Sequence, residues 1–492
     1  MEVKSLVPNM ARVLRDVNGR EIITTLSARA FRIRATRKAL LFYLKTQLNQ
    51  GNHDAIVSGN RPRGVKGDVA WAAWALLKSL DRAMDEGRLS ESFADRLVEV
   101  FLDKMVRNWA ERGEITEAFR KKGERGAPGF LVISPTNACN LRCAGCYASS
   151  GADARKLGAG EFLRIIREAK ELWGVRFFVI SGGEPFLWRD GETGLLDVTG
   201  ENPDCFFMAY TNGTLLDERV TGRLAENANL TPALSLEGFG EETDARRGSG
   251  TYEEVLRAMA RLREKGIPFG ISLTATSQNH RLLLSDGFLD EFFERRGATY
   301  GWIFQYMPIG RGIDLSLVPS PEQRLWMWRR GWEVIRERGY FLMDFWNQGT
   351  ISGGCLAGGR HTGYLYVDSN ADVFPCVFVP WAGANLREIY ARGGNLDDAY
   401  DAPLFRAMRR WHEDYGYGKT RPQDHGNWLA PCAIRDHFSM LKGLAKTHGA
   451  KPTNRSAREL LENPGHEAWL REYGKRLSEL TEPLWEEDYI QE

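Results

Sequence analysis

From about residue 126 onward the sequence predicts an α/β fold, a partial (β/α)6 TIM-like barrel, and three observations carry that expectation. Short apolar runs at 130–134, 175–181, 205–211, 233–236, 269–274 and 302–306 are too brief for helices and read as strands buried on both faces. Helical periods such as 161–173 and 252–265 lie between them, and buried strands alternating with helices make parallel βα units. The residues richest in chemistry stand where those runs end, at the C-terminal ends of the strands, where such a barrel gathers its chemistry. Six units leave the barrel open.

The chain has 492 residues, room for two or three domains. Four segments are expected: a helical region over 1–125, the barrel over 126–338, a Gly- and Cys-bearing extension over 339–440, and a charged helical tail over 441–492. In the first, Asp68 is expected to cap a helix carrying Trp71, Trp74, Leu77, Leu80 and Met84. Ser92 is expected to cap another with Leu97, Phe101, Val106 and Trp109. Residues 27–48 contain no acid; Arg29, Arg32, Arg34, Arg37, Lys38 and Lys45 accompany Leu41, Leu44 and Leu48 on one face. After Pro319 a further helix runs to about Arg338, and Trp469, Tyr473 and Trp485 punctuate the tail.

Charge is nearly balanced, with 66 basic and 65 acidic residues, which gives no reason to expect nucleic acid as a partner. No stretch approaches the apolar length of a membrane span, and the first residues lack the apolar core of a secretory signal, so a cytoplasmic location is expected. Seven cysteines in so long a chain do not make a disulfide scaffold. Three of them, Cys139, Cys143 and Cys146, fall together just after the first predicted strand. Three thiolates on one loop hold three irons of a cubane cluster and leave the fourth iron open to a chelating ligand. A zinc site would want a fourth Cys or His at short spacing, and none is there; structural thiols are the plain alternative.

The spacing C-x3-C-x2-C followed by the aromatic Tyr147 resembles the signature of the radical S-adenosylmethionine (SAM) superfamily. The resemblance implies a [4Fe–4S] cluster on these cysteines, with SAM chelating the open iron. It also implies reductive cleavage to a 5′-deoxyadenosyl radical that abstracts hydrogen from a substrate. Tyr147 would then support the adenine. Ser181-Gly182-Gly183-Glu184-Pro185, after the second run, is similar to the family's GGEP segment, where glycine lets the backbone approach a ligand and a carboxylate can meet an ammonium. Thr211 and Asn212 match a TNG, and Ser235 and Glu237 stand where the family has S-x-D-G, with Glu in place of the ribose-binding Asp. Arg246 and Arg247 follow where relatives place an arginine near the SAM carboxylate; a solvated charge pair is the alternative. Gln305 and Met307 end the sixth run and are expected to touch the adenine.

Beyond the barrel, Cys355, Cys376 and Cys432 each sit beside a chain breaker, and residues 364–376 read as a β-hairpin ending in a thiol. This resembles the SPASM and twitch extensions that carry a second, auxiliary iron–sulfur cluster. The twitch type usually ends in C-x2-C, whereas Arg435 stands three residues after Cys432, so the fourth iron is expected on Asp436 or His437, or open to substrate. Unrelated buried thiols are the alternative. Asp344 is a candidate general acid or base, with a capping role as the alternative.

The resemblance covers about residues 126–440 and implies a low-potential electron donor such as flavodoxin or ferredoxin. Its leading reading is an oxidoreductase or maturase acting on a peptide, protein or small molecule. The acid-free helix, with Phe31, Leu41, Phe42 and Leu44, supports a second reading: a lipid-like substrate met at the inner membrane face through peripheral contact. A helix packed on the barrel is the plainer expectation for that segment. A non-catalytic iron–sulfur electron carrier is the alternative from another class, although the GGEP, TNG and SLEG segments would then be superfluous.

Overall fold

The computed structural model describes residues 33–57, 61–100, 109–151, 155–417, 419 and 421–490. Arg29, Phe31, Arg32, Phe101 and Val106 therefore lie outside the described residues. Helices α1 (Arg34–Asn49) and α2 (Arg63–Asp85) open the chain. Leu40, Leu41, Leu44 and Leu48 of α1 pack with Trp74, Trp332, Ile335 and Met343, which seats the pair on the barrel's outer surface. The basic residues of α1 face α2: Arg37 pairs with Asp81 at 3.0 Å and Asp85 at 2.8 Å, Lys38 with Asp85 at 2.8 Å, and Arg34 with Asp85 at 3.2 Å. Arg34, Arg37 and Lys38 are thus paired within the protein, although Phe42 stays 72% exposed. Among the described residues no helix is long and apolar enough to cross a membrane.

Two capping expectations are corrected. Asp68 lies inside α2 rather than ahead of it, and its buried carboxylate accepts hydrogen bonds from Tyr489 (2.7 Å), Thr350 (2.8 Å) and Arg336 (3.2 Å). The cap of the next helix (Glu91–Val98) is Ser90, which accepts from the Phe93 amide, not Ser92; Trp109 lies in the helix Trp109–Lys121.

All six predicted strands are present: β1 (Phe130–Ile133), β2 (Phe177–Ile180), β3 (Phe206–Thr211), β4 (Leu230–Leu236), β5 (Gly270–Ala275) and β6 (Tyr300–Gln305). They pair in parallel in chain order, and a seventh, β7 (Leu342–Asp344), joins β6. Between β1 and β2, α3 (Ala159–Trp173) shows how the layers form. Phe162, Ile165, Ile166, Ala169 and Trp173 recur at helical spacing and are buried against the sheet. The Glu161 carboxylate accepts the Gly158 amide at its start, and Gly174 at φ 66° ends it. Helix α4 (Gly240–Arg247) follows β4, and α5 (Pro321–Glu333) precedes β7.

The sheet is larger than six units because the extension joins it. Strand β8 (Tyr364–Val367) runs parallel to β1, with Phe130 opposite Tyr364, while β9 (Asp372–Phe374) and β10 (Ala384–Asn385) continue antiparallel. Among the described residues the sheet has ten strands in the order β10-β9-β8-β1-β2-β3-β4-β5-β6-β7. Helices α6 (Pro403–Asp414), α7 (Phe438–Thr447) and α8 (Pro464–Trp485) complete the C-terminal part, α8 packing along α5. One apolar cluster lies between the sheet and its outer helices; a second, inside the barrel, is shared with the extension.

Candidate functional site

After β1 the chain enters the loop that bears the first three cysteines, and backbone contacts fix it on the turn after β2. The Gly183 amide donates to Thr136 O (2.9 Å), the Glu184 amide to Ala138 O (2.8 Å) and the Cys139 amide to Gly151 O (2.8 Å). Such close approach requires glycine: a Cβ on Gly183 would stand 2.0 Å from the Ala138 oxygen, and Gly182 adopts φ 110°. From the other side Arg311 donates to Cys143 O (3.1 Å) and to Ser150 O, and the Ala144 amide donates to Arg246 O (2.9 Å).

The three thiols line a cavity of about 330 Å³ enclosed by the barrel strands. Tyr147, Gly182, Gly183, Glu184, Thr211, Asn212, Ser235, Arg247, Gln305 and Met307 share its wall, so the structure brings ten of the expected cofactor residues together. Arg246 lines it too. The Cys139 sulfur accepts the Leu141 amide (3.4 Å), and Asn212 Nδ2 lies 3.9 Å from it; an Arg247 guanidinium nitrogen lies 4.0 Å from the Cys143 sulfur. Glu184 is fully buried, accepting from the Thr211 hydroxyl (2.7 Å) and the Asn212 amide (2.8 Å); burial pushes its carboxyl up to about 7. The Tyr147 hydroxyl is 2.6 Å from Ser181 Oγ.

Of the expected cofactor-binding and catalytic residues, three stand outside the cavity wall. Pro185 is buried at the start of a short turn, Pro185–Leu187. Glu237, instead of facing a ribose, is 2% exposed and bridges two arginines: Arg246 at 2.5 Å and Arg247 at 2.6 Å through each of its oxygens. Burial alone would raise its carboxyl, but the charges of Arg247 and Arg246 hold it below the ordinary value. The longer Glu side chain reaches past the strand end to orient these guanidinium groups. Asp344 is likewise turned inward. It accepts from Gln305 Nε2 (3.0 Å), the Trp346 amide (2.9 Å), the Asn347 amide (3.1 Å) and Asn347 Nδ2 (2.9 Å), a capping geometry that leaves no oxygen facing a substrate.

Cys355, Cys376 and Cys432 come from three separate segments yet meet in the inner apolar cluster. The Cys376 sulfur lies 3.0 Å from the Tyr364 hydroxyl, and the Cys432 sulfur 3.2 Å from the Trp346 indole nitrogen. Burial raises all three thiols, those of Cys376 and Cys432 to about 12, and the neighbouring cysteines add to the rise of each of these two. Cys205 lies apart, buried in the outer cluster. The side chains expected as a fourth ligand are engaged: Asp436 accepts from Arg324 (2.6 Å) and the Cys432 amide (2.9 Å), and His437 Nε2 lies 2.9 Å from Ala430 O. Arg435 extends from the extension to β6, donating to Gln305 Oε1 (2.6 Å) and Tyr306 O (2.7 Å). The cavity touches Leu356, Tyr364, Val377 and Phe378, next to or facing the second cysteine set, and so lies between the two sets.

The donor chemistry fits iron–sulfur clusters. Three thiols line one cavity and three more gather in the inner apolar cluster, each set the number of protein ligands that leaves one iron of a cubane free. Fold and site together define a partial-barrel iron–sulfur enzyme. Residues 133–279 match the family profile of the Radical SAM superfamily. Mycofactocin maturase MftC of Mycolicibacterium smegmatis is 31% identical over 335 residues, covering 65% of this chain and 79% of that protein. AdoMet-dependent heme synthase of Methanosarcina barkeri is 26% identical over 299 residues, 53% of this chain and 80% of that one. The crystal structure of Streptococcus suis SuiB bound to S-adenosylmethionine shares the fold, with a TM-score of 0.52 at 19% identity, over 66% of this chain and 77% of that one. The chain belongs to the radical SAM superfamily. It is an enzyme that uses SAM and a [4Fe–4S] cluster, and its C-terminal extension is of the auxiliary-cluster type.

Sequence reasoning missed Trp346, Phe378 and Tyr364 as parts of the site. Their signal was adjacency: Trp346 lies two residues after Asp344, Phe378 two after Cys376, and Tyr364 opens the predicted hairpin.

Proposed function

We propose that this enzyme is a peptide maturase, removing hydrogen from a peptide side chain held in the cavity between the two cysteine sets. The observation that carries this reading is the cavity's position and lining. The Cys139 loop closes one end, residues flanking Cys355 and Cys376 form one wall, and Phe130, Phe177, Trp302, Phe304 and Phe345 supply an aromatic interior. The name of the relative MftC, a maturase, points the same way.

In this reading Cys139, Cys143 and Cys146 hold the [4Fe–4S] cluster, and Cys355, Cys376 and Cys432 hold the auxiliary one. SAM bound to the first cluster supplies one-electron bond cleavage and hydrogen abstraction. Arg247, aimed by Glu237, offers a charge-assisted bond to a carboxylate at the cluster mouth. Glu184 and the backbone at Gly182 and Gly183 form the opposite side, and Ser235, Gln305 and Met307 line the path inward. The aromatic interior excludes water around the reacting side chain. A low-potential donor such as flavodoxin or ferredoxin supplies the electron in the cytoplasm. Peptide is favoured over lipid because the basic residues of α1 are paired with α2.

The test is anaerobic reconstitution with SAM, dithionite and peptides drawn from a source-cell extract, read by mass spectrometry. Formation of 5′-deoxyadenosine together with a peptide lighter by two hydrogens is expected. SAM-dependent products confined to non-peptide molecules would overturn the peptide assignment.

A further inference from the structure

We infer that Trp346 and Tyr364 raise the reduction potential of the auxiliary cluster by donating hydrogen bonds to two of its thiolates. The inference rests on the reading that Cys355, Cys376 and Cys432 hold that cluster.

Trp346 is 1% exposed, and its indole nitrogen lies 3.2 Å from the Cys432 sulfur. An indole N–H only donates, so the direction of this bond is fixed by chemistry. The fold does not satisfy buried indoles as a matter of course: the N–H groups of Trp74, Trp332 and Trp428 have no hydrogen-bond partner. At Trp346 the aim is built in. The Asp344 carboxylate holds its amide at 2.9 Å, Phe378 packs on its ring at 4.9 Å, and the Arg435 guanidinium covers it at 4.6 Å. Asp344 thereby becomes a positioning residue.

Tyr364 is also 1% exposed, with its hydroxyl 3.0 Å from the Cys376 sulfur. A metal-bound thiolate carries no proton, so the hydroxyl is the donor. Stacking on Phe130 at 4.9 Å and the β8–β1 pairing hold the ring in place.

Reduction adds one electron to the cluster, and donors directed at its sulfurs stabilise that charge, most strongly where water is excluded. At the first cysteine set the side-chain donors beside the sulfurs are instead a carboxamide at 3.9 Å (Asn212) and a guanidinium at 4.0 Å (Arg247).

The test uses the full chain with Cys139, Cys143 and Cys146 changed to Ala, reconstituted with iron and sulfide and titrated redox-wise under EPR. Trp346→Phe and Tyr364→Phe should each move the midpoint to more negative potential, and the double variant further. Replacing Trp346 with benzothienylalanine, an isostere without the N–H, should give the same fall while keeping the packing. In the chain with all cysteines intact, one of two midpoints should move with these changes and the other should stay. An unmoved or raised midpoint at full iron content would overturn the inference alone. Absence of iron and sulfide from the Cys139/Cys143/Cys146 variant would overturn the cluster assignment and the inference with it.

Discussion

The two cysteine sets solve the same problem from opposite directions. Cys139, Cys143 and Cys146 come from one short loop, half-exposed, held by backbone contacts and surrounded by the arginines 246, 247 and 311. Cys355, Cys376 and Cys432 are gathered from three segments into an apolar cluster, two of their sulfurs met by a buried Trp or Tyr. A local loop suits a site that must admit a charged cofactor; a dispersed one exists only when three segments come together. The difference teaches that cationic side chains gather at the first set and aromatic donors at the second.

The largest effect expected from breaking this comparison is a division of labour. Changing Cys139, Cys143 and Cys146 to Ala should abolish SAM cleavage, assayed as 5′-deoxyadenosine, while retaining about half of the iron and sulfide. Changing Cys355, Cys376 and Cys432 should remove the other half, keep SAM cleavage and stop product formation. Loss of all iron from the first variant would overturn the assignment of a second cluster to Cys355, Cys376 and Cys432. Next comes Glu237→Gln, which leaves Arg246 and Arg247 without their buried counter-charge. Breaking such a pair costs roughly 3–5 kcal/mol, and the expected readout is lower thermal stability with weaker SAM binding by equilibrium dialysis. Unchanged binding would show that Glu237 does not orient the arginines.

Asp344→Asn should sharpen the picture of the second set. It loses one accepting oxygen in a buried turn, a cost of about 1–3 kcal/mol, and should disturb the Trp346 loop. If Asp344 only positions, the pH profile of kcat/KM keeps its shape; a lost limb would restore it as a proton-transfer group. The smallest effect concerns Asp68, which ties α2 to Thr350, just before the second set, and to Tyr489 in the tail. Burial, partly opposed by these partners and Arg336, raises its carboxyl from 3.8 to about 6. The folded state therefore holds this proton more tightly than the unfolded chain, so stability rises as pH falls through 6 and is lost as pH rises. Between pH 7 and 5.5 the gain is on the order of 1 kcal/mol. Calorimetry on wild type and Asp68→Asn should show that increment in the former alone.

Much of this was legible in the residues. Six strands announced themselves as apolar runs, and strand-end motifs marked where they led. What escaped depended on long-range geometry. The pairing of β8 with β1 joins residues far apart in sequence, and nothing local marks Tyr364 as a barrel strand. Glu237 and Asp344 were read as groups facing a ligand because their positions are right; only the placement of Arg246, Arg247, Gln305 and Asn347 around them shows that their oxygens are already taken. Asp68 carried the composition of a helix cap, but its partners lie at the other end of the chain.

The pairing of β8 with β1 has a consequence for assembly. The barrel's first strand has an open edge until a strand made much later in synthesis arrives beside it, and that late strand places Tyr364 against Cys376. A non-local closure of this kind is slow and leaves backbone donors uncovered meanwhile. The first cysteine loop is complete early, whereas the second site exists only after the barrel has been sealed. Iron loading should therefore proceed in a fixed order, with the last cluster inserted serving as the sign that the fold has closed.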